Sequence, residues 1–586
     1  GYTRVFYARD TAEPSKVIGG ALLINHAAAG SGITMTTDNT GLNTAASASA
    51  AEKKLVDETL GALANKLWYR AYKDGEQNLT GKVEIAEGLT ANSASKRIEN
   101  ITFDAASGKG TYGTPLVKEQ AKTDFTTAIT GEALRDAEYT DAGVRQEDGS
   151  YVFTKDRTTI TTSGIPAAIT NNDATQPLSI DMKGHDLKVA ASNAAAVTGI
   201  AADGKEITVK EAGDLDIAAL ATGSAAIEAS DGGTVTIGTR AGKTVKLRAE
   251  SAAPSNTAVV RAAGAGTRSA VTINGLADIE ADGAKANTAL DAASSDIRLA
   301  GGTLHTTNGA LLARASGTAA NAGRININTE TDTAGVVTGA GTNKTVLTGN
   351  LSTGSGANAN GVINIGLNTS DSSWQGDYAE SNAGAVNLWM GSNARWEGRT
   401  ADGSNLNMNL LDSGSLWKLT GTSHVKNLAA ANAANRSVFD MTGTANTDKL
   451  TIDNFSGKGY FLYGNTVTTT HDPDTETDVK HVTVNGGDVH VKKAASGSEI
   501  TLHTDAKTSE TGGWNWTTSG TPVEQNLTSS VVKALANKLY YEDAAANGGN
   551  LALKVKVGEG LTTSSVARTF TQADGLRYDT ATGQAD

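Results

Sequence analysis

Cysteine is absent from all 586 residues. That absence fixes no compartment alone, but it fits a chain that stays unfolded while crossing an oxidising space. Positive charge is also in deficit. Fifty Lys and Arg face 63 Asp and Glu, and the net charge of −13 argues against an electrostatic binder of DNA or RNA. Prolines number only 7 and aromatics make up 5%; a compact cytosolic enzyme of this length carries more large apolar residues in its cores. No apolar run is long enough to span a bilayer, and the sequence opens at Gly1 without an initiator Met or a signal peptide. What is plentiful is glycine, 66 residues set among Ala, Thr, Asn and Ser. Regular V-x-I pairs within this background argue against disorder.

The chain contains a long internal repeat. The hexapeptide ALANKL occurs at 62 and at 534, and the offset of 472 holds without a gap from Leu55/Leu527 to Thr90/Thr562. Upstream, "KVIGGALLINHAAAGSGITMTTD" (16–38) matches "TVNGGDVHVKKAASGSEITLHTD" (483–505) at 467. Downstream, "FDAASGK" (103–109) matches "YDTATGQ" (578–584) at 475. Extra residues fall in turn-like stretches between matched strands, where insertions are tolerated. The chain reads as an excerpt holding one long period plus its overlap.

From about Ile160 to Asp505 short alternating strands recur: "TVTI" (234–237), "VTI" (271–273), "IRL" (297–299), "ININ" (325–328), "VINI" (362–365), "VNLW" (386–389) and "NMNL" (407–410). Period-two alternation places one set of side chains on one face, and Gly, Asn, Asp and Ser cluster in the turns between. Trp374, Trp396 and Trp417 each follow an apolar strand and lie 22 and 21 residues apart. A coil of roughly 20–25 residues is the period of parallel strands stacked as solenoid rungs. One coil cannot hold itself. Ordering its backbone costs roughly 1–2 kcal/mol per residue, while each buried Ile, Val or Leu returns about 1.5–3 kcal/mol. Stacking in register supplies the missing contacts. The fold class expected is therefore all-β, a parallel right-handed β-helix. Sandwiches, with their hairpin turns, and propellers, with their longer blade period, fit less well.

The repeated phrase has helical spacing. Val56, Leu60, Leu63 and Leu67 share one face, with Gly75 beyond as a stop; the second copy has Val532, Leu535 and Leu539, followed by Gly548 and Gly549. A short amphipathic insert recurring once per long repeat is expected. It either packs against the coils or, as the lesser alternative, docks a partner.

The stretch "GSLWKLTGTSHVKNLAAANAANRSVFDMTGTANTDKLTIDNFSGKGYFLY" (414–463) resembles the late-passenger pattern of bacterial autotransporters of the type V secretion family. Trp417 is followed by the short strand of Ser423, Val425 and Leu428, then by Leu450, Ile452, Asn454, Ser456, Gly457 and Gly459. The ALANKL phrase, continued as "NLTGKVEIAEGLT", is similar to an element of the very long, repeat-containing autotransporters of anaerobic Selenomonas-like bacteria. The likeness covers about a third of the chain closely. It implies a β-helical passenger exported across the outer membrane, often an adhesin, tethered through a part of the parent chain outside these residues.

Candidates for chemistry are few. "LDSGSL" (411–416) matches a Gly-Asp-Ser-Gly nucleophile loop at Asp412, Ser413 and Gly414, but Leu411 replaces the first glycine, and no base or orienting carboxylate is identifiable; a turn before the Trp417 strand is the simpler reading. Eight scattered histidines (His26, His185, His305, His424, His471, His481, His490, His503) contain no H-x-x-x-H or H-E-x-x-H pair. Asp472, Asp474, Glu476 and Asp478 alternate in "HDPDTETD" but lack the glycine of a calcium loop, and an insertion loop is expected there. No Walker A or dinucleotide fingerprint is present. By fold analogy a groove enzyme acting on polysaccharide is a remote alternative, with the three tryptophans as a sugar stripe or, more simply, a core ladder.

The organisation expected is coils at 1–48, a helical insert at 49–75, an irregular β segment at 76–159 and main β-helix coils at 160–410. Late-passenger coils at 411–466 follow, then second-copy coils at 467–528, a second insert at 529–549 and a second β segment at 550–586. The function expected is a non-enzymatic repeat module of an extracellular, cell-surface passenger. Its partners would be a host or bacterial surface protein or glycan and neighbouring modules of the same chain, with no nucleic acid and no direct membrane insertion. No catalytic, cofactor-binding or metal residues are assigned and no cofactor is expected. A purely structural spacer or surface-fibre subunit is the alternative.

Overall fold

The computed structural model describes residues 1–10, 16–112, 129–130, 144–145, 151–153, 157–161, 167–171, 176–191, 198–219, 223–250, 257–264, 266–412, 414–431, 437–506, 522–547 and 549–586. They divide into two compact units, residues 1–123 and 124–586.

The second unit is built on three long, mostly parallel sheets of 8, 15 and 16 strands. The chain visits them in turn. Leu178–Asp181 lies in the 15-stranded sheet, Leu187–Ala191 in the 16-stranded and Thr198–Asp203 in the 8-stranded, and then Glu206–Ala212, Leu215–Ala219 and Ile227–Ser230 repeat the cycle. Each of these six strands pairs in parallel with its counterpart one circuit later, as Leu187 does with Leu215 and Leu215 with Val245. This is the pattern of a solenoid. Alternation explains the burial: in Thr234–Thr239, Val235 and Ile237 are buried while Thr234, Thr236 and Thr239 are not. All seven strands anticipated from the alternating motifs are successive members of the 15-stranded sheet.

The step between circuits is less regular than the tryptophans imply. Asn387 faces Asn407, 20 residues on, whereas Arg324 faces Val362, 38 residues on. The longer circuit includes the small hairpin of Thr329–Thr331 and Val337–Ala340. Core register is preserved because such excursions leave the surface between strands. The 8-stranded sheet ends at Asn350–Ser352, and later circuits contribute one strand to each of the two longer sheets.

The first unit holds a five-stranded sheet ordered Tyr2–Phe6, Ser31–Asp38, Leu79–Ala86, Ser95–Phe103 and Gly110–Tyr112. A separate parallel pair joins Leu22–Ile24 to Leu67–Tyr69. Helix α1 (Ala50–Ala64) opens with a capping box: the Ser49 hydroxyl accepts the Glu52 N–H, and the Glu52 carboxylate accepts the Ser49 N–H. Val56, Leu60 and Leu63 bury the expected face. Leu67 is also buried, but from the strand after the helix, which stops at Ala64. Gly75, with φ of 90°, ends a following 3-10 turn over Arg70–Asp74. Within the β segment expected at 76–159, Leu79–Ala86, Ser95–Phe103 and Gly110–Tyr112 pair antiparallel in turn, with a register shift at Ile85/Ala86; most of the remainder of 76–159 lies outside the described residues.

The sequence repeat is a structural repeat. Ser31 faces Leu79 in the first unit, and Ser498 faces Leu551 in the second. Leu22 faces Leu67, and Val489 faces Leu539. Tyr69 N–H donates to Gly108 O at 2.7 Å, and Tyr541 N–H to Gly583 O at 2.8 Å. Both glycines are left-handed, at φ of 71° and 74°, and a Cβ on either would come within 2.2 or 2.5 Å of that tyrosine's carbonyl oxygen. Helix α2 (Pro522–Ala536) starts earlier than the expected 529 and buries Val531, Leu535 and Ala536. Among the described residues no helix is long and apolar enough to cross a membrane.

Candidate functional site

Inside the second unit the three tryptophans form a column. Trp374 and Trp396 stack at 4.6 Å and 2°, and Trp396 and Trp417 at 4.3 Å and 9°. The column continues edge-on to Phe439 and then in a second stack to Phe461. Parallel in-register strands impose this, since a side chain on one rung repeats on the next at about the interstrand spacing of 4.8 Å. Each indole Nε1–H donates to a glycine carbonyl at 3.0 Å: Trp374 to Gly349, Trp396 to Gly376 and Trp417 to Gly398. A Cβ on Gly398 would sit 1.9 Å from Gly376 O, so the column also needs these glycines. All three indoles are buried. They are core, and present no ring face to a sugar.

The outward face of the same circuits carries a second column that the sequence reading missed. Asn364 donates to Asn326, Asn387 to Asn364, Asn407 to Asn387, Asn427 to Asn407 and Asn454 to Asn427, over 2.6–3.0 Å. Every interior amide both gives and accepts, which one carboxamide per rung allows. The signal was present: "ININ", "VINI", "VNLW" and "NMNL" all hold Asn at the outward position. The column ends at a shallow cleft lined by Asn427, Asn454, Phe455 and Lys493.

Among the described residues the buried titratable groups are held in structural hydrogen bonds. His424 is buried, with Nδ1 2.6 Å from Ser404 O and Nε2 3.1 Å from Asp453 Oδ1. Asp453 also holds Lys492 Nζ at 2.8 Å. Burial raises the Asp453 pKa, but the bonds from Lys492 and His424 outweigh it and leave the carboxyl below its ordinary value. The Ser404 hydroxyl donates to the His424 carbonyl oxygen, not to the imidazole. Both ring nitrogens are engaged, so no base faces a nucleophile there. Asp412 accepts the Ser392 N–H at 2.7 Å from the circuit before it; Ser413 lies outside the described residues. His503, fully buried, meets the Tyr460 hydroxyl at 2.7 Å through Nδ1. Burial, then the charge of Lys556, lowers its pKa to about 4. Among the described residues no three metal-ligating side chains converge.

One feature branches off the parallel path of the 16-stranded sheet. In the strand Lys458–Asp472, residues 458–463 pair in parallel with Glu499–Thr504, but from Gly464 to Asp472 the sole strand partner among the described residues is the antiparallel strand Thr477–Asn485. Nine residues of hairpin make an arm of about 30 Å at 3.3–3.4 Å per residue. The expected boundary at 466/467 falls inside this strand, and residues 467–485 belong to the arm instead of to a coil. Val484 is buried at its base and α2 packs against Thr477–Asn485, whereas Val467 and Val479 further out are each 37% exposed. The acidic "HDPDTETD" is the tip: His471 Nδ1 lies 3.1 Å from Asp478 and Asp472 accepts the Asp474 N–H. In the first unit the matching hairpin strands, among the described residues, are Ala8–Arg9 and Val17–Ile18. Among the described residues the outer edge of Gly464–Asp472 carries no further strand, and an open edge is the geometry by which one chain adds to another.

No family model, curated protein or solved structure matches the chain.

Proposed function

We propose that the chain is a repeat module of an extracellular β-helical passenger of the type V secretion family, working in adhesion to host or bacterial surfaces. In this reading the three sheets are successive faces of one right-handed parallel β-helix. Helices α1 and α2 are a single insert recurring once per long repeat. The passenger is tethered to the outer membrane through a part of the parent chain outside these residues. The observation that carries the proposal is the arm of residues 464–485, an exposed hairpin fixed at its base to in-register parallel coils. Rigid coils supply reach, and a segment leaving them supplies recognition. No reaction is assigned.

A spacer or surface-fibre subunit is the second reading, favoured by the identical strand registers of the two copies. One experiment separates the two. The purified chain, and a variant with residues 466–483 replaced by an Asn-Gly turn, are titrated onto epithelial cells and onto bacterial cells. Adhesion through the arm predicts saturable binding that the short-arm variant loses. Binding by neither chain supports the spacer, and equal binding by both removes the arm from the account.

A further inference from the structure

The two copies of the repeat differ in one respect. In the second unit, Gly457–Tyr463 ("GKGYFLY") is followed by the strands that match the first unit, and Gly1–Tyr7 ("GYTRVFY") occupies the same place there. The ladders agree: Gly32 N–H donates to Gly1 O as Glu499 N–H does to Gly457 O, and Tyr2 faces Gly32 as Lys458 faces Glu499. In the second unit this strand is covered on its far side by Ser437–Asp440, with Phe439 over Phe461. The partner sheet is covered likewise, Lys449–Ser456 lying on Asp488–Ala494 with Leu450 over Val489 and Ile452 over Val491. In the first unit both matching edges are open among the described residues. Tyr2–Phe6 ends its sheet, and Leu22–Ile24 pairs only with Leu67–Tyr69.

Side chains record the difference. Phe6 is 38% exposed where its counterpart Leu462 is 7%, and Leu23 is 49% exposed. Val5, Leu22 and Ile24 are half-buried, while their counterparts Phe461, Val489 and Val491 are fully buried. The backbone is equally unfinished. The bonds Gly32 N–H to Gly1 O and Tyr7 N–H to Thr36 O set the parallel phase, which turns the amides of Tyr2, Arg4 and Phe6 outward. At the counterpart of Phe6, the Leu462 carbonyl accepts the Met441 N–H from the covering strand.

We infer that this open end of the first unit binds a coil of the Ser437–Ser456 type by adding two parallel strands at once. One strand lies on Tyr2–Phe6 and carries an aromatic residue over Val5; the other lies on Leu22–Ile24 and carries a Leu-x-Ile pair over Leu22 and Ile24. The occupant is specified by the second copy: main-chain hydrogen bonds give the attachment, and inward apolar residues at the positions of Phe439, Leu450 and Ile452 give the selectivity.

The test joins residues 411–456 of this chain directly ahead of Gly1 of the 586-residue chain, which reproduces the Ser456–Gly457 junction. Hydrogen exchange is followed on the amides of Tyr2, Arg4, Phe6 and Leu23. At least tenfold slower exchange than in the unextended protein is expected, with the protection lost when Phe439→Pro and Met441→Pro are made in the added segment, since those amides face Tyr2–Phe6 in the docked register. Unchanged exchange overturns the inference, as does equal protection by a scrambled segment of the same composition. Protection that appears in the unextended protein and grows with its concentration assigns the edge to a second copy and overturns it too. Cell binding by the arm is a separate readout that none of these outcomes alters.

Discussion

Replacing Trp396 with alanine tests the interior column where it is most enclosed. The side chain is fully buried, stacks on Trp374 at 4.6 Å and on Trp417 at 4.3 Å, and donates Nε1–H to Gly376 O at 3.0 Å. Removing a buried indole costs about 3–5 kcal/mol through lost transfer energy and the cavity left behind. Each stacked pair contributes about 0.5–1.5 kcal/mol beyond buried area, and the orphaned carbonyl about 1 kcal/mol more. These contributions overlap, so Trp396→Ala is expected to cost about 5 kcal/mol, and Trp396→Phe, which keeps a ring between its neighbours, less than half of that. Urea unfolding followed by near-ultraviolet circular dichroism reads the column directly, because parallel indoles a few ångströms apart couple their transitions. Hydrogen exchange of the Ala385–Met390 and Leu406–Leu410 amides reads the same loss locally. A cost below about 1 kcal/mol for the alanine variant would refute close packing of the column.

Two further outcomes are expected. His503 has its pKa lowered from an ordinary 6.5 to about 4, so the unfolded chain takes up a proton that the folded one refuses. Its neutral form favours folding above pH 6.5, and about 3 kcal/mol of that stability is lost as pH falls toward 4; urea midpoints across this range should shift less in His503→Gln than in the parent. Asn407→Ala removes one bond to Asn387 and one from Asn427. A loss of about 1–2 kcal/mol in urea unfolding is expected, and no loss would mean that water replaces the column freely.

The legible parts of this fold are those where one face is buried and the other is not. Val235 and Ile237 alternate with threonines, and such strands announce themselves. The 8-stranded sheet does not. Thr288–Ala293 is buried at five of its six positions and Ala258–Ala263 at four, and both are rich in alanine, so no clear alternation marks them. Circuit length was legible only around the tryptophans, because its variation comes from excursions such as Thr329–Ala340 that leave the core untouched. The arm reads as a loop in sequence since Asp472, Asp474, Glu476 and Asp478 dominate its tip, while threonines and scattered valines on both of its faces conceal the strands. Histidine 424 illustrates a different limit: nothing near it in sequence indicates Ser404 or Asp453, which reach it across adjacent circuits.

The second unit is built from neighbouring circuits lying in register, and the absence of cysteine makes that measurable. Lys246 faces Asp278 on adjacent parallel strands, and both are exposed; Glu280 lies two residues further along. Adjacent strands are about 4.8 Å apart, and a two-residue slip raises the Cα separation to about 8 Å, beyond the reach of a disulfide. Under mild oxidation Lys246→Cys with Asp278→Cys should form an intramolecular disulfide, whereas Lys246→Cys with Glu280→Cys should keep free thiols. Equal cross-linking of the two pairs, or cross-linking only of the second, would contradict the register on which the whole second unit is built.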